Sequence, residues 1–299
     1  MVWKNLRWHS SPVGQTDGFS SHLTLPVIAI GEDYQCQIFW SPRDKENRSW
    51  IFGTTAKFEH GDLKIDWAAR SPVLRPGVFG SFDSDGVSIS DVFVDERGRV
   101  NLLYFGWQRL LNDGWLNGIG YAFGSLGADF SRASHGPLLS RDTHDPFSVA
   151  YPSFVHGDPN CILYSSFAKF QNPRFSSEYE YVVRKASWNK QERTLEHRTN
   201  LQIEQIEGAS AYSRPTIVRV GDESVLLCSV RGTHYSIRGW VRRGDGWIRS
   251  KDYDGDSLCA SKSTVATCYQ FPFTVGDSIY LLYNGEGYGS SGFGLAKWE

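Results

Sequence analysis

The chain has 299 residues, 40% of them hydrophobic, and a formal net charge of -2. That length is ample for a buried core, and the near-neutral balance excludes generic nucleic-acid binding, which needs a basic face. No stretch approaches the ~20 apolar residues of a membrane-spanning helix, and the N-terminus MVWKNLRWHSS lacks the apolar core of a signal peptide. The expectation is a soluble, cytoplasmic protein with no nucleic-acid or membrane partner. An aromatic content of 14% and 30 glycines suit an all-β chain with many turns. The five cysteines are widely spaced and form no CxxC pair, and the histidines form no HExxH pattern, so no metal and no cofactor is expected.

In chain order, residues 2–9 (VWKNLRWH) read as an isolated strand. A polar loop leads to three strands, HLTLPVIAI (22–30), YQCQIFW (34–40) and SWIFGTTA (49–56), with GDLKIDW as an outer fourth. The segment GSFDSDGVSISDVFVDERGRVNLLYFGW (80–107) is an acidic loop, carrying Asp83 and Asp85, followed by a hairpin that turns between Asp95 and Gly98. NGIGYAFG (117–124) is its third strand, and Asp129 with Phe130 opens an outer one. VAYPSFVH (149–156), CILYSSF (161–167) and YEYVVRKASW (179–188) follow, and 189–206 has helical character. The pattern restarts at SRPTIVRV (213–220), SVLLCSV (224–230) and YSIRGWV (235–241). It restarts once more at YQFPFTV (269–275), SIYLLY (278–283) and GFGLAK (292–297).

Third strands recur at intervals of about 55 to 68 residues, which makes the unit an internal repeat. One four-stranded blade per repeat predicts an all-β, five-bladed β-propeller spanning 1–299 as one domain. The last blade lacks a fourth strand, so the N-terminal strand is expected to pair there and close the ring, removing exposed edges. A two-sheet sandwich is the competing architecture; five similar units of this length weigh against it.

Inner strands and the loops before them line a propeller's central funnel. Those positions hold His22, Asp83, Asp85, Asp145, Tyr151, Glu207, Tyr212, Arg214, Tyr269 and Gln270. The ends of second strands add Arg43, Asp44, Trp107, Arg231, His234 and Asn284. A carboxylate from Asp83 or Asp85 opposite Glu207 would supply the acid and the base or nucleophile of glycoside hydrolysis, the acid needing a raised pKa. The plainer role for Asp83 and Asp85 is turn capping beside Gly86, and for Glu207 a solvated loop. Arg43, Arg214 and Arg231 either pair with these acids or clamp a carboxylate or phosphate, which favours an anionic sugar or nucleotide-sugar. Trp107, Trp115 and Tyr288 can stack on sugar rings or pack in the core.

The motifs GSFDSDGVSISDVFV…LLYFGW, NGIGYAFGSLGADFSR, SAYSRPTIV…SVRGTHYSIRGW and LLYNGEGYGSSGFGLA resemble a group of bacterial five-bladed propeller proteins. These are related to glycoside hydrolase families 43 and 32 and often lie among polysaccharide-biosynthesis genes. The resemblance spans roughly residues 20–298 and implies a saccharide in the funnel, with Asp83 or Asp85 at the supporting acidic position of the second blade and Glu207 as the acid. The first blade departs, with His22 in SSHLTLP and no Asp. The fifth departs too, with Thr267 and Cys268 where an acidic pair is implied. The expected function is that of a glycoside-hydrolase-like enzyme acting on a sugar or sugar derivative, anionic ones included. Asp85 and Glu207 would be catalytic with Asp83 in support, and His22, Arg43, Trp107, Arg214, Arg231, His234 and Tyr269 would bind substrate. The alternative is a propeller that does not hydrolyse glycosides and either binds a saccharide or performs another step of polysaccharide or natural-product assembly. A third reading, a protein-interaction propeller, predicts an inert funnel.

Overall fold

The computed structural model describes residues 1–10, 18–19, 22–110, 114–126, 128, 130–155, 157–169, 180–189, 191–259 and 266–299. Asp129 and much of the stretch before Thr267 lie outside them.

Five antiparallel units follow one another. The first is β2 (Thr24–Ile30), β3 (Gln35–Ser41), β4 (Ile51–Glu59) and β5 (Asp62–Ile65), with β6 (Ser71–Leu74) also on β4. The second is β7 (Gly86–Val94), β8 (Val100–Arg109), β9 (Trp115–Gly124) and β10 (Ser131–Arg132). The third is β11 (Val149–Val155), β12 (Asp158–Lys169), β13 (Glu180–Asn189) and β14 (Thr194–Asn200). The fourth is β15 (Ala211–Val220), β16 (Glu223–Arg231), β17 (Tyr235–Arg243) and β18 (Gly246–Ser250). The fifth is β19 (Cys268–Val275), β20 (Ser278–Asn284) and β21 (Phe293–Trp298), completed by β1 (Trp3–His9), which pairs antiparallel with β21 from Trp3–Trp298 to His9–Phe293. The third and fourth units touch through one parallel pair, Tyr181 and Ala211.

The burial pattern says why each strand takes its place. Inner strands such as β2 and β7 are buried almost continuously, because both of their faces meet protein. The third strand β13 alternates instead, burying Tyr181, Val183, Ala186 and Trp188 and leaving the residues between them more exposed. Residues 194–200 form a strand, not the expected helix. The free edge of β13 offers a hydrogen-bonding partner that outweighs the helical propensity of the Glu- and Leu-containing segment. Aromatic and aliphatic side chains fill the wedges between blades: Leu103, Ile162, Tyr164 and Trp188 between the second and third, and Leu163, Leu226 and Trp240 between the third and fourth.

Hydrogen bonds cross every junction of the ring. Ser41 Oγ accepts from Ile89 N at 2.9 Å, and Asp91 Oδ2 accepts from Phe154 N at 2.7 Å. Ser165 Oγ donates to Tyr212 O at 3.1 Å, and Ser229 Oγ accepts from Tyr269 N at 2.8 Å. Asn284 returns the chain to its start, accepting from Leu25 N at 2.8 Å and donating to Leu23 O at 2.9 Å. Four of the five latches come from the end of a second strand and reach the inner strand of the next blade. The architecture is a five-bladed β-propeller.

Candidate functional site in the central funnel

Each inner strand carries an irregularity at the same height. The pairing register slips between Thr24 and Val27, Ile89 and Asp91, Ala150 and Ser153, Ser213 and Thr216, and Cys268 and Phe271. A bulge re-aims a side chain out of the strand's alternation. Four of these bulges hold a residue at positive φ, namely Leu25 (58°), Tyr151 (53°), Arg214 (49°) and Tyr269 (55°). Such backbone costs about 1–3 kcal/mol per residue, and here the device recurs around the axis. Pro26, Pro152 and Pro215 follow three of them, as proline does where a ladder hydrogen bond is already lost.

Leu25, Tyr151 and Tyr269 form part of the wall of a cavity of about 570 Å³, a size that suits a small ligand. The mouth is built on Trp107. Its indole N–H donates to Ser49 Oγ at 2.8 Å, which fixes the ring across the junction of the first two blades. The Arg43 and Arg109 guanidinium carbons lie 5.9 and 5.6 Å from the ring centroid, within cation–π range. Arg43 Nη1 donates to Asn47 Oδ1 at 2.9 Å and Arg109 Nη2 to Glu46 O at 2.6 Å, so one turn positions both. Phe105, Trp115, Asn117 and Tyr181 complete much of the wall. Tyr151 and Tyr269 stack with ring centroids 5.8 Å apart. Burial pushes the phenols of both above the ordinary tyrosine range, keeping them protonated. No Asp or Glu lines this cavity among the described residues.

Of the sequence-predicted binding residues, Arg43, Trp107 and Tyr269 line the cavity. His22 stands near Arg43, and burial followed by that guanidinium holds its pKa below the ordinary histidine value. Arg231 lies at the rim with its guanidinium 5.6 Å from the Tyr181 ring and Nε donating to Ser210 Oγ at 3.1 Å. His234 is exposed on the β16–β17 turn. Arg214 is fully buried, close enough to Tyr151 and Tyr269 for their charges to interact, and is not among the residues lining the cavity. Its Nε donates to Gln270 O at 2.9 Å and Nη2 to Pro26 O at 3.3 Å, while Nη1 has no hydrogen-bond partner. Burial lowers its pKa to about 10, against the opposing pull of Asp91.

The three predicted catalytic carboxylates are not brought together along the cavity wall. Asp83 is completely buried and committed to the fold. Its Oδ2 accepts from Arg132 Nε at 2.8 Å and from Tyr104 Oη at 3.1 Å, and its Oδ1 from Ser81 Oγ at 2.9 Å. Gly106 is required there, because a Cβ at that position would fall 2.1 Å from the Asp83 Cβ. The third blade repeats the device, with Asp145 accepting from Tyr164, Arg184 and Arg198 at 3.0, 2.8 and 2.8 Å. Asp85 is half-buried at the mouth, accepting from Arg109 N at 2.9 Å. Glu207 is exposed on the loop before β15. Sequence reasoning passed over Arg109, because the hairpin was read only as far as Trp107. The alternation of Phe105, Trp107 and Arg109, all of which reach the cavity, was the available signal.

No family model matches the chain. The uncharacterized proteins MT1551 and Rv1502 of Mycobacterium tuberculosis, from strains CDC 1551 and H37Rv, are each 32% identical to it over 309 residues, covering all of both chains. The chain belongs to the family of these mycobacterial proteins. Among solved structures, a thermostable family-43 glycoside hydrolase superposes with a TM-score of 0.64 at 13% identity, over 97% of this chain and 90% of that one. An alpha-L-arabinofuranosidase from Lactobacillus brevis gives 0.67 at 10% identity, over 96% and 94%. A GH32 beta-fructofuranosidase of Bombyx mori gives 0.59 at 12% identity, over 95% and 62%. The family therefore has the propeller fold of glycoside hydrolase families 43 and 32, and at these identities the likeness speaks for the fold.

Proposed function

We propose that this family member is a carbohydrate-active propeller whose funnel takes a saccharide carrying negative charge. The observation that carries the reading is the mouth, where a fixed indole has two guanidinium groups within cation–π range beside an aromatic wall. A sugar ring stacks on an indole face, and a planar guanidinium matches a carboxylate or phosphate oxygen pair. With no acid on the described wall, the electrostatic preference is for an anion. A thermal-shift screen tests it, because a ligand that binds only the folded form raises the unfolding midpoint by mass action. Uronic acids, sialic acids and sugar phosphates should raise the wild-type midpoint, neutral sugars less, and Arg109→Ala should lose the difference. A response to neutral sugars alone, equal in both proteins, would contradict it.

Glycoside hydrolysis is the second reading, favoured by the position of Asp85. Its carboxylate is tied to a wall strand through Arg109 N, next to Trp107, where it could act on a bound glycoside. Under this reading Asp85→Asn abolishes release of reducing ends while leaving ligand affinity intact. Turnover that survives Asp85→Asn removes that role.

A further inference from the structure

The mouth accounts for Arg43, Trp107 and Arg109, but leaves the base of the funnel unexplained. There, three of the four positive-φ bulge residues are polar: Tyr151, Arg214 and Tyr269. A fold that needed only a filled axis would be served by apolar side chains, as Leu25 shows in the first blade. Instead a guanidinium is buried completely, with Tyr151, Tyr269 and Cys268 close enough to act on its charge. The nearby carboxylate of Asp91 offsets that charge, and its oxygens accept from Val92 N at 2.7 Å and Phe154 N at 2.7 Å. Backbone carbonyls satisfy Nε and Nη2, which leaves the Nη1 donors without an acceptor in a fully buried site. A buried donor left without an acceptor is costly, because its lost hydration is not replaced. The stacked Tyr151 and Tyr269 rings lie on the cavity wall, and each phenol adds an O–H donor.

We propose that Tyr151, Tyr269 and Arg214 Nη1 form an oxyanion subsite at the floor of the funnel, which seats the carboxylate or phosphate of the saccharide held by Trp107. The three groups offer donors and no carboxylate oxygen of their own, which favours an acceptor-only group over a neutral hydroxymethyl. An entering oxyanion takes one bond from each phenol and one from Nη1. High phenol pKa values keep both hydroxyls protonated as donors across neutral pH. Desolvation by the aromatic wall strengthens each of these bonds relative to water. The inference rests on the saccharide reading of the same funnel and adds where the charge is read.

Calorimetric titration with methyl glucuronide, glucose 1-phosphate and methyl glucoside separates the two. Tyr151→Phe and Tyr269→Phe keep ring packing and remove one donor each. Each should weaken binding of the two oxyanion ligands by about tenfold or more, with methyl glucoside affinity unchanged. Arg214→Lys, which keeps the charge but not the fork, should weaken them further. Circular dichroism confirms that each variant is folded. Oxyanion affinities within twofold of wild type in both Phe variants would overturn the floor subsite. If Trp107→Ala still abolishes binding in that case, the saccharide reading stands without it. Absence of binding by the wild type to all three ligands defeats both.

Discussion

Two residues apart in the loop before β7, Asp83 and Asp85 are used differently because of what each can reach. Asp83 meets Tyr104 and Arg132 behind the inner strand, in space that only glycine at 106 leaves open. Asp85 remains at the mouth on the backbone of Arg109. Removing one partner of a buried ion pair leaves the other charge uncompensated, at about 3–5 kcal/mol for a fully buried pair. Arg132 keeps some solvent contact, so Asp83→Asn is expected to destabilise by about 2–3 kcal/mol, read as a lower urea midpoint with an unchanged slope. A midpoint equal to wild type would mean that the Asp83 network holds nothing together. The sequence showed an acidic pair before a strand, but nothing in it reported which member would be sealed, because that depends on Gly106 and Arg132 arriving from other strands.

Among the elements, β1 joins the chain's two ends. It donates the outer strand of the last blade and buries His9 against Phe293, the rings stacked at 5.0 Å. Burial lowers the His9 pKa to about 4, outweighing the favourable charge of Asp62. The unfolded chain therefore binds the proton first as pH falls. This contribution to stability is complete above the ordinary value of 6.5 and disappears as pH drops from there to about 4. Between pH 7.5 and 4.5 the wild type should lose roughly 1–3 kcal/mol more than His9→Phe, which keeps the stack. Parallel urea curves at the two pH values measure it, and equal losses in the two proteins would show that β1 does not sense the proton. The pairing of β1 was legible in the sequence, since a lone strand at one end answered a missing strand at the other. The strand at 194–200 was not, because its edge partner β13 decides the outcome over local propensity.

At the scale of the whole molecule, the repeat was readable because each blade's strands alternate and their hairpin turns are marked by glycine and aspartate. The funnel was harder to read. Its floor depends on bulges that appear in sequence only as a residue before proline in three of the five inner strands, Leu25, Tyr151 and Arg214. Position on an inner strand placed Arg214 on the axis, yet could not show that it is completely buried, or that Glu207 stands exposed. What the ring achieves as a unit is convergence: side chains from the first, second, third and fifth blades line one cavity, with a buried cation from the fourth close to its tyrosines. Its stacking platform comes from the second blade and is fixed by Ser49 of the first, so ligand binding should depend on Trp107 above any other wall residue. The measurement to make is a calorimetric titration of an oligouronate into wild type and Trp107→Ala. Saturable binding to wild type, weakened about tenfold or more by the substitution, is the expected result. Equal affinity in the two proteins, or no heat with either, would contradict a saccharide in the funnel.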